Sequence, residues 1–289
     1  MKIGIYARSL NSEGHQHFAR ELFSLLNQRG IAIYVHENLS EFASGVHIDG
    51  VFGHHDLMPD SIDFLLSLGG DGTVLDTLMI VRDTGIPVLG VNMGRFGFLA
   101  SSQQEDIRST IDELEKNSYS IQERAVLKLE SDQPLFGDFP YALNDFVIHK
   151  KDTSSMITVR AYLNGVFLNA YWADGLICST PTGSSGYSLS CGGPLLFPGS
   201  RSFVITPIAP HNLNVRPAVI SEESVVSFET EGRTDSYLVT LDSRSETVTK
   251  GTKLAIQKAN FSFRTVRLQE ESYMNTIRKK LMWGLDNRN

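Results

Sequence analysis

The apolar pattern of this chain changes period near Ser120, and the change calls for two different kinds of packing. Before that point short apolar runs alternate with stretches of helical spacing. Lys2 to Ala7 reads as a strand, and Phe18, Leu22, Leu25 and Leu26 then recur at i, i+4, i+7 and i+8, with Gly30 as the C-terminal cap of the helix they define. Further strands are expected over Ile31 to Val35, Ile62 to Leu68 and Ile86 to Val91. Helices are expected over Val74 to Arg82 and over Ile107 to Lys116, the second capped by Asp106. Strands alternating with helices imply a mostly parallel sheet whose ligands sit outside the carboxyl ends of the strands. Asp71 and Asn92 fall at such ends.

Beyond Ser120 the alternation has period two: Ala125–Leu129, Phe146–His149, Ile157–Leu163, Val166–Tyr171, Leu176–Ser179, Phe203–Thr206, Val225–Glu229, Tyr237–Leu241 and Lys253–Gln257. Asn164-Gly165 between two of these runs is a hairpin signal, because both central residues of the favoured turn need positive φ. The tail, Ser272 to Trp283, returns to helical spacing with Met274, Ile277, Leu281 and Met282 apolar. The expected organisation is an α/β domain with a mostly parallel sheet over residues 1–118, then a β-rich, β-sandwich-like domain over 119–268. A C-terminal helix, 269–289, is expected to pack back on the body. A length of 289 residues suits two domains.

The formal net charge of −7 argues against a nucleic-acid partner, which calls for a basic stripe, but leaves nucleotides open. No apolar stretch approaches the roughly 20 residues that span a bilayer, so no membrane partner is expected. Met1-Lys2 followed by Ile3-Gly4-Ile5-Tyr6 and polar sequence lacks a secretory leader pattern, and the expected location is cytoplasmic. The two cysteines, Cys178 and Cys191, lack metal-ligand spacing and read as buried small hydrophobes. His54-His55-Asp56 reads as a solvated loop.

Three stretches carry chemistry. Gly69-Gly70-Asp71-Gly72-Thr73 follows the apolar run Phe64-Leu65-Leu66-Ser67-Leu68. Two glycines at a strand end let a polyphosphate approach bare backbone, and the carboxylate behind them sits where an attacking hydroxyl could lose its proton. The alternative is a tight turn into a helix with Asp71 as its cap. Asp174 to Ser190, closed by Gly192-Gly193-Pro194, leads a strand into a turn rich in glycine and hydroxyls and then a short helix, a place for anionic or ribose oxygens. A serine-rich surface loop is the other reading, and Tyr187 within it is either a ring face for a purine or a half-buried packing residue. Asn144-Asp145, before Phe146-Val147-Ile148, can grip two vicinal hydroxyls or form an ordinary turn. A P-loop and a Gly-x-Gly-x-x-Gly dinucleotide fingerprint are both missing.

In this order the stretches resemble the NAD kinases, bacterial ones in particular. The likeness also takes in Gly90-Val91-Asn92-Met93-Gly94-Arg95-Phe96-Gly97-Phe98-Leu99, Pro210-His211-Asn212-Leu213 with Arg216-Pro217, and Ser272 to Trp283. The resemblance implies transfer of the γ-phosphoryl of ATP to the 2′-hydroxyl of the adenosine ribose of NAD, giving NADP. It also implies a divalent metal ion, magnesium, accompanying the ATP, and a homo-oligomer, dimer or tetramer. By matching motif, Asp71 would be the proton acceptor and Gly72 would lie against the dinucleotide. Asn144 and Asp145 would hold NAD near its reactive ribose, and Asp174 would contact the nicotinamide end. Thr182, Ser185, Gly186, Tyr187, Ser188, Leu189 and Ser190 would line the adenosine pocket, with Ala209 beside it. No residue is assigned as a metal ligand.

The chain departs from the family pattern at Ser185-Gly186 (commonly Thr-Ala), Phe96 (leucine), Trp172 (often arginine) and Asp242-Ser243-Arg244 (usually ending in glutamine). Lipid kinases and phosphofructokinases share the Gly-Gly-Asp-Gly turn. This chain has no basic amphipathic face for the first, and its second half lacks the βα alternation of the second. Against a non-catalytic NAD sensor stand Asp71 and the pairing of Asn144 with Asp145.

Overall fold

The computed structural model describes residues 1–53, 62–94, 97–151, 156–232, 235–268 and 272–283. The His54-His55-Asp56 stretch, Arg95 and Phe96 lie outside the described residues. The chain divides into two compact units, one of residues 1–122 with 264–289 and one of 123–263.

The first unit holds β1 (Lys2–Tyr6), α1 (Glu13–Gln28), β2 (Ala32–His36), β3 (Gly50–Phe52), β4 (Phe64–Leu68), α2 (Asp71–Val81), β5 (Val88–Asn92), β6 (Ala100–Gln103) and α3 (Ile107–Glu115). Its strands are parallel in the order β3-β2-β1-β4-β5, with β6 alongside Gly90–Asn92 of β5. All five residues of β4 and of β5 are buried. Such strands are covered on both faces, which is why they read as near-continuous apolar runs. Phe18, Leu22, Leu25 and Leu26 of α1 are buried as their spacing predicts, each such side chain contributing roughly 1.5–3 kcal/mol. Ser12 caps α1 by accepting from the His15 N–H at 3.2 Å.

Three details differ from the sequence expectation. The C-cap of α1 is Arg29, and Gly30 follows it at φ +66, its N–H bonded to the Asn27 carbonyl while that of Ile31 reaches Leu26. Asp106 occupies the N-cap of α3 without a side-chain capping bond. Helix α2 begins at Asp71, three residues before Val74, because its first turn carries no buried apolar side chain to announce it.

The second unit is antiparallel. One sheet runs β14-β13-β12-β9-β16-β17, from Asp145–Lys150 (β9), Gly175–Ser179 (β12), Ser202–Ile208 (β13), Ala218–Ser221 (β14), Ser236–Leu241 (β16) and Arg244–Thr249 (β17). The other runs β11-β10-β15-β18, from Ile157–Leu163 (β10), Val166–Ala173 (β11), Val226–Glu231 (β15) and the start of Leu254–Leu268 (β18). Their inner faces share one apolar core, with Phe146, Ile148, Leu176, Cys178 and Val239 meeting Val159, Tyr171, Phe228 and Ile256. This is a β-sandwich arrangement. Asn164 and Gly165 stand at φ +52 and +81 between the paired residues Leu163 and Val166, as the hairpin signal predicts. The long strand β7 (Tyr119–Ser131) leads into this unit; it pairs with β8 (Tyr141–Ala142) and with β18. Cys178 is buried in the core, where burial pushes its thiol up to about 12, and Cys191 is half-buried.

The C-terminal helix α5 (Tyr273–Leu281) belongs to the first unit, where Tyr273 lies 6.4 Å from the Phe98 ring, centroid to centroid. Of the four apolar positions of the tail Ile277 is buried, whereas Met274 and, just past the helix, Met282 are 45% and 69% exposed. The helical spacing therefore marks a narrower contact than the sequence suggests.

Candidate functional site

In the α/β unit the turn after β4 is built to leave backbone uncovered. Gly69 has φ +154, and a Cβ there would lie 2.3 Å from Thr73 Oγ1, so no larger residue fits. Gly70 is the N-cap of α2 and Asp71 its first residue, with Gly72 exposed. The first turn of an α-helix carries N–H groups without intrahelical partners, the setting in which phosphate oxygens are held.

The Asp71 carboxylate points away from its own helix. Oδ2 accepts from the Phe98 N–H at 2.8 Å, and Oδ1 from Leu99 at 2.9 Å and Ala100 at 3.1 Å. Three of about four acceptor positions are thereby filled, and the remaining one is on Oδ2. Gly97 makes this approach possible: a Cβ on it would stand 1.9 Å from Oδ1. Behind the turn, Arg8 grips Asp76 of α2 through two bonds of 2.6 Å and reaches the Gly72 carbonyl at 3.3 Å. The Tyr6 hydroxyl donates to Asp76 at 3.2 Å, and burial with that neighbouring carboxylate pushes the phenol up to about 12. This clamp joins residues 64 to 70 positions apart and has no local sequence signal. Asn92, at the end of β5, accepts from the Gly94 N–H at 2.8 Å, while its buried Nδ2 has no hydrogen-bond partner among the described residues.

In the β-rich unit Asn144 and Asp145 form the entry to β9. Asp145 is buried, its carboxylate accepts no hydrogen bond among the described residues, and burial followed by the charge of Asp242 pushes it up to about 7. Asn144 is half-buried and its Oδ1 lacks a partner. Beyond β12 the chain turns through Thr180 to Ser190. A Cβ on Gly183 would lie 2.3 Å from the Asn144 carbonyl, so the turn is pressed against the Asn144-Asp145 entry.

Within that turn the hydroxyls are largely engaged by the fold. Ser184 donates to the Pro181 carbonyl at 2.7 Å, Ser185 to that of Thr182 at 3.2 Å, and Ser188 is buried against Thr206 Oγ1 at 2.8 Å. The expected short helix is a single turn, Tyr187–Ser190, so its dipole is small. Gly186, Tyr187 and Ser190 are exposed, Tyr187 by 43%, while Leu189 is half-buried. Thr182 receives a 3.4 Å bond from Arg124 and opens on a cavity of about 270 Å³ shared with Arg201, Glu222 and Lys258. Glu222 pairs with both of those cations, at 3.2 and 2.7 Å, and with Arg124 and Glu123 also on the wall the lining carries one more cation than carboxylates.

Asp174 starts at the foot of β12 and is ion-paired to Lys150 at 2.6 Å. Its N–H reaches the Ile208 carbonyl, next to Ala209, which is exposed at φ +43. Trp172 lies against the His211 ring, 4.4 Å between centroids. Arg244 is turned inward: its guanidinium donates to the carbonyls of Phe139 and Tyr141 and sits over the Phe136 ring, and burial lowers its affinity for the proton. Among the described residues no group of three or more His, Cys, Asp or Glu could hold a metal ion. The residue that sequence reasoning passed over is Asp242, read there as a departure and here the acceptor for three backbone N–H groups. The strand that follows it, Arg244–Thr249, was not among the alternating runs read from the sequence, so nothing marked Asp242 as lying in a tight link.

Two family models match the chain: "ATP-NAD kinase N-terminal domain" over residues 3–119 and "ATP-NAD kinase C-terminal domain" over 143–268. A protein of Cytophaga hutchinsonii named NAD kinase is 52% identical over 227 residues, 78% of each chain. One of Flavobacterium psychrophilum, also named NAD kinase, is 43% identical over the whole of both chains. In fold the chain is similar to yeast NADH kinase solved with NADH (TM-score 0.86, 20% identity, 100% of this chain and 89% of that one). It is also similar to an NAD kinase from Archaeoglobus fulgidus solved with ATP (TM-score 0.74, 23% identity, 98% and 99%).

Proposed function

Because the chain belongs to the ATP-NAD kinase family, we propose that it transfers the γ-phosphoryl group of ATP to the 2′-hydroxyl of the adenosine ribose of NAD, giving NADP and ADP. The observation that carries the reading is the carboxylate of Asp71, set at the first position of α2 behind two glycines and fixed by three backbone donors. A ribose hydroxyl is a poor nucleophile until a base takes its proton. In the proposed step the free position on Asp71 Oδ2 accepts that proton as the ribose oxygen bonds to the γ-phosphorus and the bond to ADP breaks. Such transfer depends on in-line positioning more than on covalent chemistry, and a carboxylate held by three N–H groups is suited to it.

Gly72, exposed beside the base, is proposed to lie against the dinucleotide. Asn144 and Asp145 are assigned to the vicinal hydroxyls, a role supported by the unpartnered Asn144 Oδ1 and the unbonded Asp145 carboxylate. The exposed ring of Tyr187 is assigned to the adenine. Thr182, Ser185, Gly186, Leu189 and Ser190 are assigned to the pocket around it, and the buried Ser188 holds that turn in shape. Asp174, shared with Lys150, is assigned to the nicotinamide end, near Ala209.

A magnesium ion is proposed to enter with the triphosphate, since such an ion takes most of its ligands from phosphate and water. When bound it neutralises charge on the phosphoryl oxygens. No helix of the described residues is long and apolar enough to cross a membrane, and a cytoplasmic setting is proposed with the function. Val166, Phe167 and Trp172 on β11 are 71%, 52% and 45% exposed, which supports a homo-oligomer, dimer or tetramer.

The test is purified protein with NAD, ATP and magnesium, NADP being scored by a dehydrogenase that accepts only NADP, with Asp71→Asn alongside. NADP is expected from the wild type. In the variant, turnover is expected to fall roughly 10²–10⁴-fold while NAD affinity changes little. Binding of NAD without any NADP formed would overturn the reading in favour of a sensor. Equal loss of turnover and affinity would make Asp71 a binding residue.

A further inference from the structure

Asp242 occupies the link between β16 and β17 at φ +52 and is half-buried. Its carboxylate accepts from three successive backbone N–H groups: Leu143 at 2.8 Å on Oδ2, Asn144 at 2.8 Å and Asp145 at 3.1 Å on Oδ1. Its own N–H returns a bond of 3.0 Å to the Asp145 carbonyl. Three consecutive amides converging on one anion make a backbone nest, here filled by a side chain of the same protein. The carbonyls on the other side of that backbone are also held. Thr180 Oγ1 donates to Leu143 at 2.6 Å, and the Thr180 N–H to Asn144 at 2.9 Å. The Gly183 N–H in turn bonds Thr180 Oγ1 at 3.2 Å. The backbone polar groups of residues 143–145 are thus fixed from two directions, while among the described residues Asn144 Oδ1 and the Asp145 carboxylate are left without hydrogen-bond partners.

We propose that Asp242 is a positioning residue for nucleotide binding, which sets the Asn144-Asp145 pair against the ribose and, through Thr180, ties that pair to the Thr182–Ser190 turn. The inference rests on the role proposed above for Asn144 and Asp145. Asp242 does a second thing by its charge, since it is the negative neighbour of Asp145. Among the described residues the titratable groups that act on Asp145 are Asp242 from the β16–β17 link, itself faced by Arg244, with Cys178 from β12 and Tyr187 from α4 (Tyr187–Ser190). Burial comes first and Asp242 second in holding Asp145 up at about 7. The carboxylate accepts two ribose hydroxyls with stronger bonds than the protonated acid, so NAD capture should weaken as pH falls through that value.

Two substitutions separate these effects. In Asp242→Asn the amide oxygen can keep the Asn144 and Asp145 N–H groups, but an NH₂ replaces the acceptor for Leu143 and the charge is lost. Thr180→Val releases Leu143 and Gly183 while leaving every charge in place. Steady-state kinetics with the full chain would follow the KM for NAD and for ATP and the pH profile of kcat/KM for NAD. Both variants should raise the KM for NAD about tenfold, as for the loss of one bond to a charged or tightly placed group, with that for ATP little changed. The acid limb of the profile should move to lower pH in Asp242→Asn alone.

A residue that merely supports the fold would lower the active fraction and leave the KM ratio and the limb where they are. That result in Asp242→Asn overturns the proposal. If this variant does not fold, an unchanged KM for NAD in Thr180→Val overturns it instead. Asn144→Ala and Asp145→Asn run beside them keep the two readings apart: if neither raises the KM for NAD, it is the assignment of that pair which fails.

Discussion

Asp145 is a costly ionisable side chain to keep at the proposed site, and the cost can be measured without substrate. Its carboxyl is buried, accepts no hydrogen bond among the described residues and faces Asp242, which together raise it from the ordinary 3.8 to about 7. The sign follows from proton linkage. The folded protein holds this proton more tightly than the unfolded chain, so the group's contribution to stability is whole below the unfolded value and is lost as pH rises through the folded one. At pH 8 the folded protein carries an ionisation penalty on the order of 4 kcal/mol; at pH 5 it is about 2 kcal/mol, because only the unfolded chain then ionises. Asp145→Asn keeps the shape and removes the charge. The variant should be more stable than the wild type by roughly those amounts, the gain growing by about 2 kcal/mol from pH 5 to pH 8. Urea unfolding is the assay, in a Trp283→Phe background so that Trp172 is the sole tryptophan and lies in the β-rich unit. With a slope of about 1–3 kcal/mol/M, the extra gain moves the midpoint by on the order of 1 M between the two pH values. A gain of equal size at both pH values, or a loss at pH 8, would refute the argument that burial and Asp242 oppose the charge.

Two further outcomes follow from the geometry of the ligand-facing residues. Gly97→Ala places a methyl 1.9 Å from Asp71 Oδ1, so the carboxylate must leave its three donors; kcat should fall by about 10²-fold with the fold intact by circular dichroism, and an unchanged kcat would dissociate that geometry from turnover. Tyr187→Ala removes a ring that is 43% exposed, so little packing is lost. If the ring stacks on adenine at ~1–3 kcal/mol, the KM for NAD should rise about tenfold and that for ATP less. An unchanged KM for NAD would return Tyr187 to packing.

What could be read from the sequence was whatever burial writes into local order. Strand β4 is legible because a parallel strand covered on both faces must be apolar throughout, and the Asn164-Gly165 turn because few other residues accept two positive φ values in a row. Helix α2 was placed three residues late for the converse reason: its first buried residue is Val74, so periodicity is silent about the turn that holds Asp71. The serine-rich run shows the same limit in side chains. Composition suggests hydroxyls facing a ligand, yet Ser184 and Ser188 are buried and bonded to Pro181, Leu196 and Thr206. Which hydroxyl turns inward depends on a strand 18 residues away from Ser188.

The polar skeleton was illegible because its partners are remote, and it uses one device twice. Asp71 is fixed by the N–H groups of Phe98 to Ala100, 27 to 29 residues on. Asp242 is fixed by those of Leu143 to Asp145, 97 to 99 residues back. In each unit a single carboxylate is locked to a run of three amides. In the first the carboxylate itself is the chemical group, and the amides set where its last acceptor position points. In the second the carboxylate is the anchor, and the amides belong to the residues that would meet the ribose. A half-buried carboxylate satisfied by three donors resists displacement, since breaking its bonds leaves the amides uncompensated. Asp145, with no such donors, is the exception between them, and on the present reasoning it is left unsatisfied because a bound nucleotide supplies the hydrogen bonds that the fold withholds.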